Sequence, residues 1–221
     1  MFSLKRLIPR VIRRTEFYKD WEVSKKTSWI YSNEDKKYIF VHNPKCAGTS
    51  IKNILGFSDC PTNHRVPSDS INVDIWNEYT TIVMVRHPLR RLVSSWQYHT
   101  QDTYTGAYYG RYGDKLRTMG LKEYFHVFKR EQHAIRPQVE YVTHRKSPKK
   151  ADVIIKVEDI QAGIEELIKR GIVSQEDSQI PQKNKSQAKQ TQELFADSAF
   201  LNEVIAFYKE DFEMFGYEER I

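Results

Sequence analysis

The sequence predicts an α/β fold in three layers, with a mostly parallel sheet between layers of helix. Three runs carry that reading: residues 38–43 (YIFVHN), 80–85 (TTIVMV) and 152–156 (DVIIK). Each is short and rich in β-branched or aromatic residues, and each leads into a stretch with helical spacing. The run at 80–85 is apolar on both faces of the pleat, as a strand buried on both sides requires. Ligands of such sheets bind outside the carboxyl ends of the strands. Both of the first two strand-to-helix turns lie at that edge.

The elements follow in order. Lys36-Lys37 precede the first strand, which runs into Pro44-Lys45-Cys46-Ala47-Gly48-Thr49-Ser50. Ile51, Ile54 and Leu55 then mark the start of a helix. The second strand is followed by Arg86-His87-Pro88, with Pro88 placed for a first helical turn and Leu89, Leu92, Val93 and Trp96 as the buried stripe. After the third strand a helix over 158–170 carries Ile160, Ile164, Leu167 and Ile168 on one face, with Gly171 as its cap. Residues 191–214 read as a helix broken near Asp197-Ser198. Between 97 and 150 the pattern is helical only in pieces (116–128), and we expect a variable, partly helical region near the strand-end site. The stretch 109–150 holds eleven Lys/Arg against four Asp/Glu, and 193–221 holds eight acids and two bases, expected to be a solvated helix face. Residues 38–221 form a single domain in this reading, with 1–37 a basic segment that is part of it or packs on it.

Composition excludes several classes. The chain has 221 residues, enough for a core without staples. Aromatic residues make up 13%, which excludes a disordered chain. Two cysteines, Cys46 and Cys60, exclude a disulfide scaffold and a four-cysteine zinc site, and read as free thiols in a reducing compartment. No run approaches the roughly 18 apolar residues of a membrane span, and no secretory leader is evident; a cytoplasmic enzyme is expected, although a Golgi enzyme without its anchor would look the same. Residues 1–14 carry five basic residues and no acid at amphipathic spacing, which suits weak contact with an anionic membrane surface, with Pro9 shortening any helix there. Oligomeric state is not legible.

Two constellations carry chemistry. The loop 44–50 has the logic of a phosphate loop. Gly48 allows close approach of the backbone, amides at the helix start point at an anion, Thr49 and Ser50 add hydroxyls, and Lys45 adds charge. It is not a Walker A loop, because Lys45 precedes Gly48 by three residues. The second strand ends in Arg86 rather than a metal-binding Asp, so the loop suits an anion transferred without Mg²⁺, and no metal is expected. The second constellation is Arg86 with Ser94, eight residues on: a planar fork and a hydroxyl for a second phosphate. Arg90 and Arg91 lie close by.

These residues resemble those of a known family. YIFVHNPKCAGTSIKNIL (38–55) is similar to the 5′-phosphosulfate loop of sulfotransferases that use 3′-phosphoadenosine 5′-phosphosulfate (PAPS). TTIVMVRHPLRRLVSSW (80–96) is similar to their 3′-phosphate motif. Weaker echoes are HAIRPQ (133–138), KVEDI (156–160), IPQKNKS (180–186) and YKEDFEMFGY (208–217). The likeness runs in order from about 38 to 217 and is closest to the carbohydrate, Golgi-type branch. Cys46 and His87 depart from the more usual Thr and Asn or Asp. The resemblance implies a P-loop-like fold, sulfuryl transfer to a hydroxyl, a carbohydrate acceptor, and a donor site of Lys45, Cys46, Ala47, Gly48, Thr49, Ser50, Arg86 and Ser94. Lys185 and Ser186 belong to a loop closing over the donor.

Transfer to an alcohol also needs a base. Of seven histidines, His64 is the first candidate, because the resemblance places a basic histidine shortly before the 3′-phosphate strand. His99 is the second, and Glu158 a third. His42 is expected to be packed, and His87 is flanked by Pro and basic residues. Two other functions compete. A nucleotide kinase or other P-loop NTPase lacks its lysine and metal carboxylate here. A nucleic-acid-binding module would use the net charge of +6, but no recognised motif accompanies it.

Overall fold

The computed structural model describes residues 31–131, 134–178 and 193–220. Its elements are β1 (Tyr31–Asn33), β2 (Tyr38–Val41), α1 (Gly48–Ile54), α2 (Pro67–Ser70), α3 (Val73–Glu78), β3 (Thr80–Val85), α4 (Pro88–Thr100), α5 (Ala107–Tyr112), α6 (Asp114–Thr118), α7 (Leu121–Glu131), α8 (Val139–Val142), β4 (Thr143–His144), β5 (Ser147–Lys150) and β6 (Val153–Lys156). A 3₁₀ turn (Val157–Asp159) leads into α9 (Ile160–Lys169), and α10 (Ser198–Phe207) and α11 (Lys209–Phe215) close the chain.

The central sheet has the order β1-β2-β3-β6. β2, β3 and β6 are parallel, with Val41 opposite Val83 and Val83 opposite Ile154. The expected fold class is therefore what forms. Side chains alternate across the pleat, so β2 and β3 bury both faces. Phe40, Ile82 and Met84 pack with Ile51 of α1 and Leu55 just after it, and with Ile164 and Leu167 of α9. Ile39, Val41, Val83 and Val85 pack with Trp76, Val139, Tyr141 and Phe215 on the other side.

Four features go beyond the sequence reading. First, β1 pairs antiparallel with β2, so the sheet begins before residue 38. Second, the middle region has its own core. Leu116, Met119, Leu121, Tyr124, Phe125 and Phe128 are buried against Leu89, Leu92 and Val93 of α4 and against Phe200, Val204 and Tyr208. Its periodicity looks weak because Gly113 (φ 58°) and the Met119-Gly120 junction cut it into short helices. Third, the last helix breaks twice. Asp197 caps α10 by accepting from Ala199 N at 3.0 Å and Phe200 N at 3.1 Å, and a second break falls at Tyr208. Fourth, the acidic C-terminal stretch is not wholly solvated: Asp211 is fully buried.

Candidate active site

The site lies where β2 and β3 end. β2 leaves the sheet after Val41, and the chain crosses the strand ends through residues 42–47. Lys45 (φ 65°) and Ala47 (φ 52°) are held in the left-handed region, which costs a residue with a Cβ about 1–2 kcal/mol. Such strain persists where surrounding structure enforces it, and it concentrates at functional sites. No side chain caps α1 at Ala47, so the helix start is open. Thr49 is exposed and Ser50 half-buried.

Gly48 has a further reason beside the expected one. Its φ is not positive. A Cβ here would stand 2.1 Å from Cδ2 of His42, so the glycine makes room for the His42 ring. That ring stacks on Phe40 and meets His64 edge-on at 4.4 Å between centroids. Burial, then the charges of His64 and Lys52, push the His42 pKa down to about 3. His42 is packed, as expected. Cys46 also points inward: its thiol is fully buried, 3.3 Å from Oε1 of Gln138, and burial raises its pKa to about 12. Any ligand contact at Cys46 is through its backbone.

Lys45 is half-buried, with Nζ 3.8 Å from the centre of the Tyr98 ring. Burial, then Arg86, lower its pKa to about 8. Arg86 reaches across from the end of β3, and its Nη1 donates to the Lys45 carbonyl at 3.4 Å. Ser94 sits half-buried one turn along α4 from Arg90, on the stripe that an i, i+4 spacing creates, and Arg86 lies just before the start of that helix. Arg91, one residue round the helix, is instead structural. It is buried, with Nε donating to Pro44 O at 3.0 Å and Nη1 to Arg136 O at 2.8 Å.

Among the described residues, none of Lys45, Arg86, Arg90, Arg91 or Lys156 has a carboxylate within ion-pair distance. Cations of the middle region behave differently: Arg117 pairs with Asp114, Lys122 with Asp197, and Lys129 with Glu203. Glu158, just after β6, accepts from His87 N and from the Tyr217 hydroxyl, each at 2.9 Å, and its charge acts on Arg86 from a distance. The strand ends thus hold concentrated positive charge with no carboxylate in ion-pair contact among the described residues, an arrangement that lowers the free energy of a bound anion.

His64 stands beside this cluster with an exposed edge. Its Nδ1 lies 3.1 Å from the His42 carbonyl. A carbonyl only accepts, so Nδ1 carries the proton and Nε2 keeps its lone pair. Burial of the ring's inner face lowers its pKa; the His42 carbonyl opposes this, and Lys45 and Arg91 add to the lowering. His99 reaches the same tautomer by a relay. Ser95 Oγ donates to Ala134 O at 3.1 Å and so accepts from Tyr124 OH at 3.0 Å. Tyr124 OH then accepts from His99 Nδ1 at 2.7 Å. The His99 ring, however, is buried against Tyr104, Tyr108 and Phe128, and burial, then Lys45, push its pKa down to about 4. His87 turns away: its Nε2 donates to the carbonyls of Glu218 and Arg220.

The family model described as the sulfotransferase family matches residues 29–218. The chain belongs to the sulfotransferase family. No curated protein and no solved structure matches it. The match spans the whole sheet and both anion loops, so this sulfotransferase transfers a sulfuryl group to a hydroxyl-bearing acceptor, and PAPS is the donor its family generally uses. No group of metal-ligating side chains occurs among the described residues, and no helix among them is long and apolar enough to cross a membrane. Residues 1–14, His133, and Lys185 with Ser186 lie outside the described residues.

Two buried residues beside the strand-end loops had only weak sequence signals. Gln138 is buried between the two loops, and Asp211 holds its backbone. Both sit in the HAIRPQ and YKEDFEMFGY echoes. Those motifs named the positions, but nothing in the local pattern assigned them a contact.

Proposed function

We propose that the protein moves the sulfuryl group of PAPS to a hydroxyl of a carbohydrate acceptor. The observation that carries the donor assignment is the half-buried cluster of Lys45, Arg86 and Arg90, which has no carboxylate in ion-pair contact among the described residues, flanked by Ser94 and by the open start of α1. In this reading the backbone of Cys46–Gly48, the hydroxyls of Thr49 and Ser50, and Lys45 hold the 5′-phosphosulfate. They steady charge on the bridging oxygen as it leaves. Arg86 and Ser94 grip the 3′-phosphate. Lys185 and Ser186 complete the donor site.

The acceptor oxygen attacks sulfur as the bond from sulfur to the 5′-phosphate oxygen breaks. Its proton passes to Nε2 of His64, leaving a sulfate ester and adenosine 3′,5′-bisphosphate. What supports His64 over His99 is exposure: both rings keep Nε2 bare, but His64 is exposed and His99 is buried. A sugar acceptor is supported by the likeness to the carbohydrate branch and by Tyr98, a residue 44% exposed beside Lys45. Such a ring presents an apolar face and a polar tip to a saccharide.

Calorimetry with adenosine 3′,5′-bisphosphate and AMP tests the donor. The bisphosphate should bind about tenfold or more tightly, since a charged hydrogen bond contributes ~1.5–3 kcal/mol. Equal affinity would remove the roles given to Arg86 and Ser94. For the base, His64→Ala should lower kcat by about 10²-fold or more while donor affinity changes little. A normal rate in that variant would move the role to His99.

A further inference from the structure

The two anion loops meet through one side chain that neither motif contains. β2 pairs with β3 only as far as Val41 opposite Val83. Beyond that point β3 continues for two residues and then Arg86, with nothing from β2 to satisfy its inner edge. Backbone groups two residues apart face the same edge of a strand, so Met84 and Arg86 present theirs together. Side-chain amides take over the ladder. Asn43 Nδ2 donates to Met84 O at 3.0 Å. Gln138 Nε2 donates to Arg86 O at 2.7 Å, and Gln138 Oε1 accepts from Arg86 N at 2.9 Å. The Gln138 carboxamide therefore pairs with Arg86 as a neighbouring peptide would.

The same Oε1 also reaches the other loop. It lies 3.1 Å from Asn43 Nδ2 and 3.3 Å from Cys46 Sγ. Gln138 has no exposed surface, and its own position is set from behind. Asp211 accepts from Gln138 N and Val139 N, each at 2.9 Å, and Tyr208 OH donates to Ile135 O at 2.7 Å. Arg91 ties Arg136 O and Pro44 O to α4.

From this geometry we infer that Gln138 is a positioning residue for the donor site: its carboxamide fixes the separation of the Lys45–Gly48 loop from Arg86, and so makes the two loops act together on one nucleotide phosphorylated at both ends. The inference rests on the proposed donor. A ligand held at both ends gains only if the two grips match its span, because the second contact is then intramolecular. Losing the carboxamide leaves each grip intact and spoils the match. A residue that merely filled the core would, when changed, weaken the protein without favouring one nucleotide over another.

The experiment measures dissociation constants of AMP and of adenosine 3′,5′-bisphosphate for the wild type, Gln138→Met and Gln138→Glu, with the Tm of each. Methionine keeps the length and removes both hydrogen-bonding functions. Glutamate keeps the shape and the acceptor and removes the donor to Arg86 O, so a folded comparison survives if the methionine variant is unstable. In the wild type the ratio of the two constants should favour the bisphosphate. In both variants that ratio should fall by about tenfold, with AMP affinity nearly unchanged. A variant that binds both nucleotides more weakly by the same factor, or that keeps the wild-type ratio, overturns the role of Gln138. A wild type that does not distinguish the two nucleotides overturns the donor assignment instead.

Discussion

Replacing Gly48 by alanine tests how the phosphate loop is built. The added Cβ would stand 2.1 Å from Cδ2 and 2.2 Å from Nε2 of His42, where ordinary contact begins at 3.4 Å. The ring must therefore withdraw by about 1.3 Å, the difference of those distances. It has nowhere to go. His42 is 6% exposed, stacks on Phe40, and meets His64 at 4.4 Å. Overpacking of this kind typically costs about 1–3 kcal/mol. For a chain of this length each kcal/mol lowers Tm by roughly 2–4 °C. Displacement of His64 by even about 1 Å can cost about 10²-fold in rate. The assay is a thermal melt with kcat for Gly48→Ala, His42→Ala and the double variant. The clash predicts that His42→Ala restores much of the Tm that Gly48→Ala loses, a coupling between contacting sites. If the two losses simply add, or if Gly48→Ala melts and turns over normally, the steric account of Gly48 fails and its value lies in backbone approach to an anion.

The other predictions concern protons, thiols and metal. kcat/KM for the donor should be bell-shaped, since it reports the free enzyme. Activity should fall at low pH as His64, whose pKa lies below its usual value, gains a proton. It should fall again as pH rises through about 8 and Lys45 loses its charge. Lys45→Arg should move that alkaline limb upward, because a guanidinium does not titrate in this range; an unmoved limb would exonerate Lys45. A disulfide reagent should modify Cys60 in the native protein and reach Cys46 only on unfolding, since Cys46 is buried with a pKa near 12 and the thiolate is the reactive form. Two fast thiols would show that the loop opens. Turnover should survive EDTA, and a strict need for Mg²⁺ would favour nucleotide kinase chemistry.

The sequence by itself determined the fold class and the position of both loops. Each depends on short-range pattern: strands read from continuous apolar runs, turns from Gly48 and Pro88, anion chemistry from Lys45, Arg86 and Ser94 at strand ends. Strand-to-helix order then implies the parallel sheet, because successive parallel strands need a crossover. What only the tertiary structure decided are contacts across long stretches of chain. Gln138 meets residues 52 and 95 positions away, and Asp211 meets Gln138 from 73 away. In the sequence Asp211 is one acid among eight in an acidic stretch, and apart from the YKEDFEMFGY echo nothing local distinguishes the buried one. The reason for Gly48 is likewise tertiary, since only the folded chain places the His42 ring against it. So too is the contrast, among the described residues, between surface cations that have carboxylate partners and strand-end cations that have none. Composition counts both alike, and only packing determines which of them have carboxylates within reach.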